Sequence, residues 1–384
     1  LAVSRVATAR AVARRCGVSR LADVTGLDRI GLPVWQAIRP WGRSLSVHQG
    51  KGLTAAAAQL GACMEAIECS HAEAWAPPLR QARWTDLSAA ERAAAIDDFA
   101  IRRGHAGVGD AMDWAAAERI GGGTVWVPGA AVSLDLTFAG QPGVTRSSNG
   151  QGAGFDTDFA SLKALCEVIE RDAVGDWLAN RSVFTRGVDE IDLAGIDFTW
   201  FHDLAARCAT LGIAVRAYAL PAVIPMPVIA VELHDASGEA AGHPHSVGTA
   251  AHPDAETALQ SALTEAIQAR LTVIAGARDD LTLTSAEARP PTFGLAIARS
   301  DAERSHPRES GGPSPELRRR APAFAAAVAL DATSHFHAAV TALAAAGYDQ
   351  VARLILSPAE CPVVTVKILV PGLGETGRAR RAPA

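Results

Sequence analysis

Three times in this chain, about a hundred residues apart, one helical pattern returns. Residues 62–68 read ACMEAIE, residues 164–170 read ALCEVIE and residues 262–268 read ALTEAIQ. The form is Ala-x-x-Glu-apolar-Ile-Glu/Gln, at intervals of 102 and 98 residues. Residues three apart share one face of a helix. Glu65 with Glu68, and Glu167 with Glu170, therefore form pairs that can reach one ligand, as can Glu265 with Gln268. Ala164, one turn before Glu167, leaves room on that face for something to approach. A lone Glu-x-x-Glu is most often a solvated face. These glutamates sit among Ala, Cys, Met and Ile, where ionised carboxylates are costly unless paired or metal-bound.

Each copy follows a glycine-rich loop: SVHQGKGLT from Ser46, SNGQGAG from Ser148 and SVGTAAH from Ser246. Gly52 and Gly154 each stand 13 residues before the first glutamate of their copy. Three loop–helix units ending in oxygen-bearing side chains point to one shared polyanionic site. Such a site suits hard cations, which take oxygen ligands and are held together with nucleotide phosphates. The repeat interval is far longer than a solenoid unit, so the expectation is duplication within one body.

At 384 residues, 49% of them apolar, the chain can bury a large core. Its formal net charge of −5 gives no bulk electrostatic footprint for nucleic acid or an anionic membrane. The six cysteines form no CxxC pair and no zinc spacing, and read as free, mostly buried thiols of a cytoplasmic protein. No apolar run approaches a membrane span. The first 20 residues carry Arg5, Arg10, Arg14 and Arg15 without a signal-peptide core and read as an amphipathic helix.

Along the chain, helix is expected over 1–19, strands at Val34–Ile38 and Ser44–His48, and helix from Thr54 to Trp75. Asp97–Ala117 reads as loop and helix, and Thr124–Val127 as a strand. Asp192–Leu211 reads as helix, Ile213–Ala219 and Pro227–His234 as strands, and 235–246 as a polar turn. A third acidic helix is expected from Asp254, its N-cap, to Gly276. An alanine-rich helix over Ala323–Gly347, a strand at Val363–Val370 and a disordered tail complete the chain. The whole reads as a single domain: an N-terminal segment 1–50, loop–helix units over 51–286, a mobile insertion over 287–322 and a C-terminal helix and strand over 323–384.

No Walker A motif is present, since Gln49-Gly50-Lys51-Gly52 lacks the loop length and the following Ser/Thr. Lys51 still sits in a glycine turn before a helix N-terminus, where backbone amides already favour an anion. Arg270, two residues after Gln268, reads as a phosphate clamp. His243/His245 and His335/His337 have no third ligand nearby and read as surface or turn residues. No nucleophile elbow is present, and no catalytic side chain is assigned.

Several segments together resemble the YcaO family: 24–40, 44–54, 64–68, 148–150 with 164–173, 248–270 and 370–373. The resemblance implies an α+β fold, internally duplicated, with helices packed on mixed or antiparallel sheets around a central nucleotide site. It also implies ATP and Mg²⁺ as cofactors and activation of a peptide backbone amide. A nucleophile adds to the carbonyl, and the resulting oxyanion takes the γ-phosphoryl group. Loss of phosphate leaves a thioamide if sulfide attacked, or an azoline if a peptide side chain did. Glu65, Glu68, Glu167 and Glu170 would hold Mg²⁺. Lys51, Glu65, Arg171, Glu265, Gln268 and Arg270 would lie around the nucleotide.

The N-terminal segment is most similar to the subgroup found beside TfuA-type proteins and associated with thioamide formation. The implied partners are a precursor peptide and a TfuA-like protein, with room for a homodimer. The family usually has Ser at Gly61, Asn at Phe155 and an acid at Phe159, and often a basic residue at Ser261. These departures keep a nucleotide-deficient, peptide-binding scaffold open as an alternative, beside an azoline-forming cyclodehydratase.

Overall fold

The computed structural model describes residues 2–92, 111–138, 140, 144, 146–179, 189–235, 237, 244–276 and 331–374. The expected insertion over 287–322 and the expected disordered tail lie outside the described residues.

Helix α1 (Ala2–Arg15) stops where Gly17 adopts a φ of +89°, which an L side chain rarely takes. An antiparallel sheet follows, in the order β1 (Arg20–Asp23), β2 (Val34–Ile38), β3 (Val47–Lys51). The strand expected at Ser44–His48 thus begins later and runs through Gln49-Gly50-Lys51, so the first glycine loop is itself a strand. Helix α2 (Ala55–Ala74) starts at Thr54, whose hydroxyl accepts the Ala57 amide.

Next come β4 (Arg80–Arg83), β5 (Ala111–Arg119), β6 (Thr124–Pro128) and β7 (Gln151–Gly154). Residues 111–117, expected as loop and helix, form β5 instead. Met112 and Trp114 point into a core that the alanine-rich sequence disguised, with Trp114 against Trp84. The second glycine loop is likewise a strand, β7, and it leads into α3 (Thr157–Ala179).

β8 (Asp189–Glu190) precedes α4 (Thr199–Thr210), which is shorter than the helix expected over Asp192–Leu211. β9 (Ile213–Leu220), β10 (Val228–Asp235) and β11 (His245–Ala251) lead to α5 (Ala255–Ile274), N-capped by Asp254 as expected. The expected polar turn over 235–246 therefore ends where β11 begins. Asp331 caps α6 (Ala332–Ala345), and β12 (Ala352–Ile355) and β13 (Val364–Leu369) finish the described chain.

All pairings between these strands are antiparallel. One sheet runs β11-β10-β9-β8, and another β4-β5-β12-β13-β7 with β6 on β5. β3, β7 and β11 are therefore each the edge strand of a different sheet. α2 packs on β3, α3 on β7 and α5 on β11, and each helix also touches the edge strand of the next unit. α2 meets β7, α3 meets β11 and α5 meets β3, which closes a ring.

Glycine makes the ring tight. A Cβ on Gly50 would collide with the Ala58 carbonyl and the Ala62 amide of α2. One on Gly152 would meet Ala160 and Ala164 of α3, and one on Gly248 would meet Ala262 and Ala266 of α5. The room expected beside Ala164 is thus taken by the β7 backbone. Gly61 has the same cause: its Cβ would stand 3.2 Å from Gly50 Cα, so a side chain there presses on the strand. Among the described residues, no helix is long and apolar enough to cross a membrane.

Gly152→Ala forces β7 off α3 and is expected to cost about 1–3 kcal/mol or more, as overpacking does. Gly195→Ala, with nothing within 4 Å of the added carbon, is expected to stay within about 0.5 kcal/mol. Denaturant titration of the two variants checks the contrast, and equal losses would refute the close-packing account.

Candidate functional site

Among the described residues the outer side of each of the three edge strands has no neighbouring strand, and buried amides there need other acceptors. The glutamates supply them. Glu65 accepts the Gln49 amide of β3 at 2.9 Å, and Glu68 accepts the Ala153 amide of β7 at 2.8 Å. Glu170 accepts the hydroxyl of Thr249 in β11 at 2.6 Å. Two of the three helices, α2 and α3, thus anchor the strands by carboxylates, and the anchoring fixes where Glu65, Glu68 and Glu170 stand.

Cations meet them from adjoining units. Lys51 donates to Glu265 at 2.7 Å, joining β3 to α5. Lys163, one turn before Glu167, joins α3 to Glu68 of α2. Arg171 lies 3.9 Å from both Glu167 and Glu170. Lys367, almost wholly buried in β13, donates to the Ser147 and Asn149 carbonyls at 2.7 and 2.6 Å and so pins the turn before β7.

The acids feel one another across the units. Burial pushes Glu65 up to about 7, with the Gln49 amide opposing and the Glu68 charge assisting. Burial also raises Glu167, against Arg171 and reinforced by Glu68. It raises Glu170 as well, reinforced by Glu265 and opposed by Arg171. Lys163 is held above the usual lysine range: burial works against its charge, but Glu68 and its neighbours outweigh burial.

The structure therefore brings together Glu65, Glu68, Glu167, Glu170, Glu265, Lys51 and Arg171. Gln268 stands half-buried one turn beyond Glu265, where the Thr272 hydroxyl bridges its carbonyl to Gln49 Oε1. Arg270 is placed differently from the phosphate clamp expected of it. Its guanidinium is 5% exposed and engaged by Asp28 at 3.1 Å and Asp235 at 2.8 Å, so it ties α5 to β10.

Sequence reading missed Lys163, Thr249 and Lys367. Lys163 had a signal, since it precedes Glu167 by four on one helical face. Lys367 had none, standing in a strand that reads as core. Of the histidines considered, His245 bonds Glu232 at 2.8 Å, His335 lies against His252, and His243 is outside the described residues. All six cysteines are free, four of them buried.

Oxygen donors raised by burial and mutual repulsion fit hard cations, which relieve both penalties. Among the described residues, no three His, Cys, Asp or Glu side chains form a ready cage for a metal ion.

Fold and site together define an α+β protein that collects acids, lysines and backbone edges at the junction of three sheets. A family model described as YcaO cyclodehydratase, ATP- and Mg²⁺-binding, matches residues 49–374. The chain belongs to the YcaO family.

It is 34% identical over 279 residues to an uncharacterized protein in the tfuA 3′ region of Rhizobium leguminosarum bv. trifolii, covering 70% of this chain and 65% of that one. A protein of Mycobacterium tuberculosis is 35% identical over 274 residues, covering 69% and 59%. The chain thus spans less than two thirds of the length of these relatives. The YcaO of Methanopyrus kandleri bound with AMPPCP and Mg²⁺ superposes with a TM-score of 0.69 at 20% identity, covering 98% of this chain and 91% of that one. A heterocyclase in complex with substrate and cofactor gives 0.70 at 18% identity, covering 92% and 49%.

Two outcomes follow from the electrostatics. A carboxyl raised in the folded state stabilises the fold below its unfolded value near 4.5 and loses that contribution as pH rises through its folded value. Metal-free protein is therefore expected to lose stability between about pH 5 and 8, by roughly 1–3 kcal/mol for Glu65 alone. Mg²⁺ is expected to restore the loss and to release protons near neutral pH. Thermal unfolding across pH, with and without Mg²⁺, reads this, and stability rising with pH regardless of Mg²⁺ would contradict it. Arg270→Met leaves Asp28 buried without its cation and Asp235 with only the half-exposed Arg29 at 3.5 Å, and is expected to destabilise by about 3–5 kcal/mol. If Arg270 is structural, nucleotide affinity of the folded variant, measured by calorimetry, stays unchanged.

Proposed function

We propose that this chain activates a peptide backbone amide at the expense of ATP, with Mg²⁺, and that the product is a thioamide formed with a TfuA-like partner. The observation that carries the reading is the ring itself: helices packed on three different sheets carry five glutamates, which meet two lysines and an arginine from adjoining strands and helices. The family's description as ATP- and Mg²⁺-binding supports the cofactors. A relative from a tfuA 3′ region supports the partner and, through it, the thioamide.

In this reading Glu65, Glu68, Glu167 and Glu170 would hold Mg²⁺, which would supply neutralisation of the phosphate charge. Lys51, Arg171, Glu265 and Gln268 surround the nucleotide, and Lys163 joins them from its place beside Glu68. Amides are poor electrophiles with a poor leaving group. The chain's task is therefore to position the carbonyl and its nucleophile and to stabilise charge, as in other phosphoryl transfers. Sulfide adds to the carbonyl carbon, the oxygen takes the γ-phosphoryl group, and the C–O bond breaks with loss of phosphate. The carbonyl oxygen leaves in that phosphate, and sulfur remains.

Gly154 and the two phenylalanines lie where β7 turns into α3. Phe155 sits under Arg5 with the guanidinium carbon 5.4 Å from its ring centre, and Phe159 is 51% exposed. Phe155 thus meets α1, which motivates the scaffold alternative at this corner but leaves the carboxylate ring untouched.

The test is turnover with a precursor peptide, a sulfide source, ATP, Mg²⁺ and the partner protein. ADP release and a peptide mass raised by exchange of oxygen for sulfur are expected. A mass lowered by loss of water would make the product an azoline, and no ADP release would favour the scaffold. Glu167→Gln is expected to lower kcat/KM by about a hundredfold or more, the scale of losing one transition-state contact.

A further inference from the structure

One basic helix takes no part in the carboxylate ring. α1 holds Arg5, Arg10, Arg14 and Arg15 and no acidic residue, in a chain of formal net charge −5. Arg10 and Arg14 are four apart and share a face. With Arg20 of β1 they line a cavity of about 280 Å³ whose apolar wall includes Val18, Leu21 and Cys63. All three arginines are exposed, and none has an ion-pair partner among the described residues. Three guanidinium groups gathered without an anion repel one another, and a carboxylate is the planar partner each fits best.

The cavity adjoins a strand edge. Among the described residues β1 pairs with β2 alone, and its other side is the end of the sheet. Its terminal residues Arg20 and Asp23 are exposed and the two between are half-buried. An unpaired edge offers backbone donors and acceptors to an extended chain. The footprint is small: four residues of strand and one cavity fall well short of the ~800 Å² that a folded partner covers. A short linear segment fits it.

We propose that the free edge of β1 and the cavity beside it dock an acidic, extended segment of the peptide substrate. Its backbone adds as a strand to β1, and its carboxylates pair with Arg10, Arg14 and Arg20. The assignment rests on the reading above that a peptide is the substrate, and it adds a recognition subsite remote from the reacting amide. Cys63, in the cavity wall, and Glu65, in the ring, are two residues apart on α2 and so face different sides of it. The segment that is recognised and the amide that is modified would therefore be separate stretches of one peptide.

Fluorescence anisotropy tests this without turnover, using a labelled peptide of about ten residues that alternates Glu with apolar residues. It is expected to bind, to weaken with salt, and to lose about tenfold in affinity or more in Arg10→Glu/Arg14→Glu/Arg20→Glu. The same peptide with Lys for Glu, or with proline in its centre, is expected not to bind. Slowed amide exchange at Arg20–Asp23 on binding reports strand addition.

Equal affinity for the triple variant, for the Lys peptide or for the proline peptide would overturn the proposal, as would unchanged exchange. If the triple variant unfolds, Arg10→Gln/Arg14→Gln carries the same comparison with a smaller expected loss. Nucleotide binding by the peptide-free protein is measured alongside. Docking lost with nucleotide binding intact sinks the subsite alone, and the reverse sinks the ATP-dependent function alone.

Discussion

Three sheets end, toward the middle of this molecule, in strands whose outer amides have no fourth sheet to pair with. The acceptors come instead from helices: Glu65 takes the Gln49 amide, Glu68 the Ala153 amide, and Glu170 the Thr249 hydroxyl. A carboxylate serves this role well because it accepts from several donors at once. It also brings charge where burial penalises charge. Capping two strand edges with glutamates, and fixing a third carboxylate to the Thr249 hydroxyl, therefore concentrates acid at the same place. Fold and site share a cause here, since Glu65 and Glu68 cannot be moved without freeing a strand amide.

The helices that carry this arrangement were legible in the sequence. The Ala-x-x-Glu-apolar-Ile pattern fixes a face by its spacing, and Thr54 and Asp254 announce where two of the helices begin. Their partner strands were hidden. Gln151–Gly154 and the Gln49–Lys51 stretch are glycine-rich, and glycine is depleted in strands because it costs entropy and adds no packing. It is used here because a strand must lie against a helix at backbone contact, which is a tertiary demand with no local signature. β5 was hidden for the opposite reason: Ala111–Arg119 is rich in a strong helix former, and burial of Met112 and Trp114 in one cluster with Ala72, Trp84 and Leu87 is what makes it a strand. Arg270 looked like a ligand because of its neighbours in sequence. Its real partners, Asp28 and Asp235, are far away in the chain, and no spacing rule connects them.

Lys51 and Lys163 show how the centre is held when the only cations are the protein's own. Each comes from a different unit than the acid it meets, so each ion pair also fastens two units together. Two lysines and one arginine do not balance Glu65, Glu68, Glu167, Glu170 and Glu265; burial pushes Glu65, Glu167 and Glu170 up, and the neighbouring acids add to it. Lysine is a monovalent point charge on a flexible stem. A divalent cation brought in with phosphates offers each carboxylate more charge at shorter range, and the displaced ammonium groups then have phosphate oxygens to meet. In the proposed reading Mg²⁺ held by the glutamates would relieve part of the penalty that burial puts on their charge, while the Gln49 and Ala153 amides stay bonded to Glu65 and Glu68.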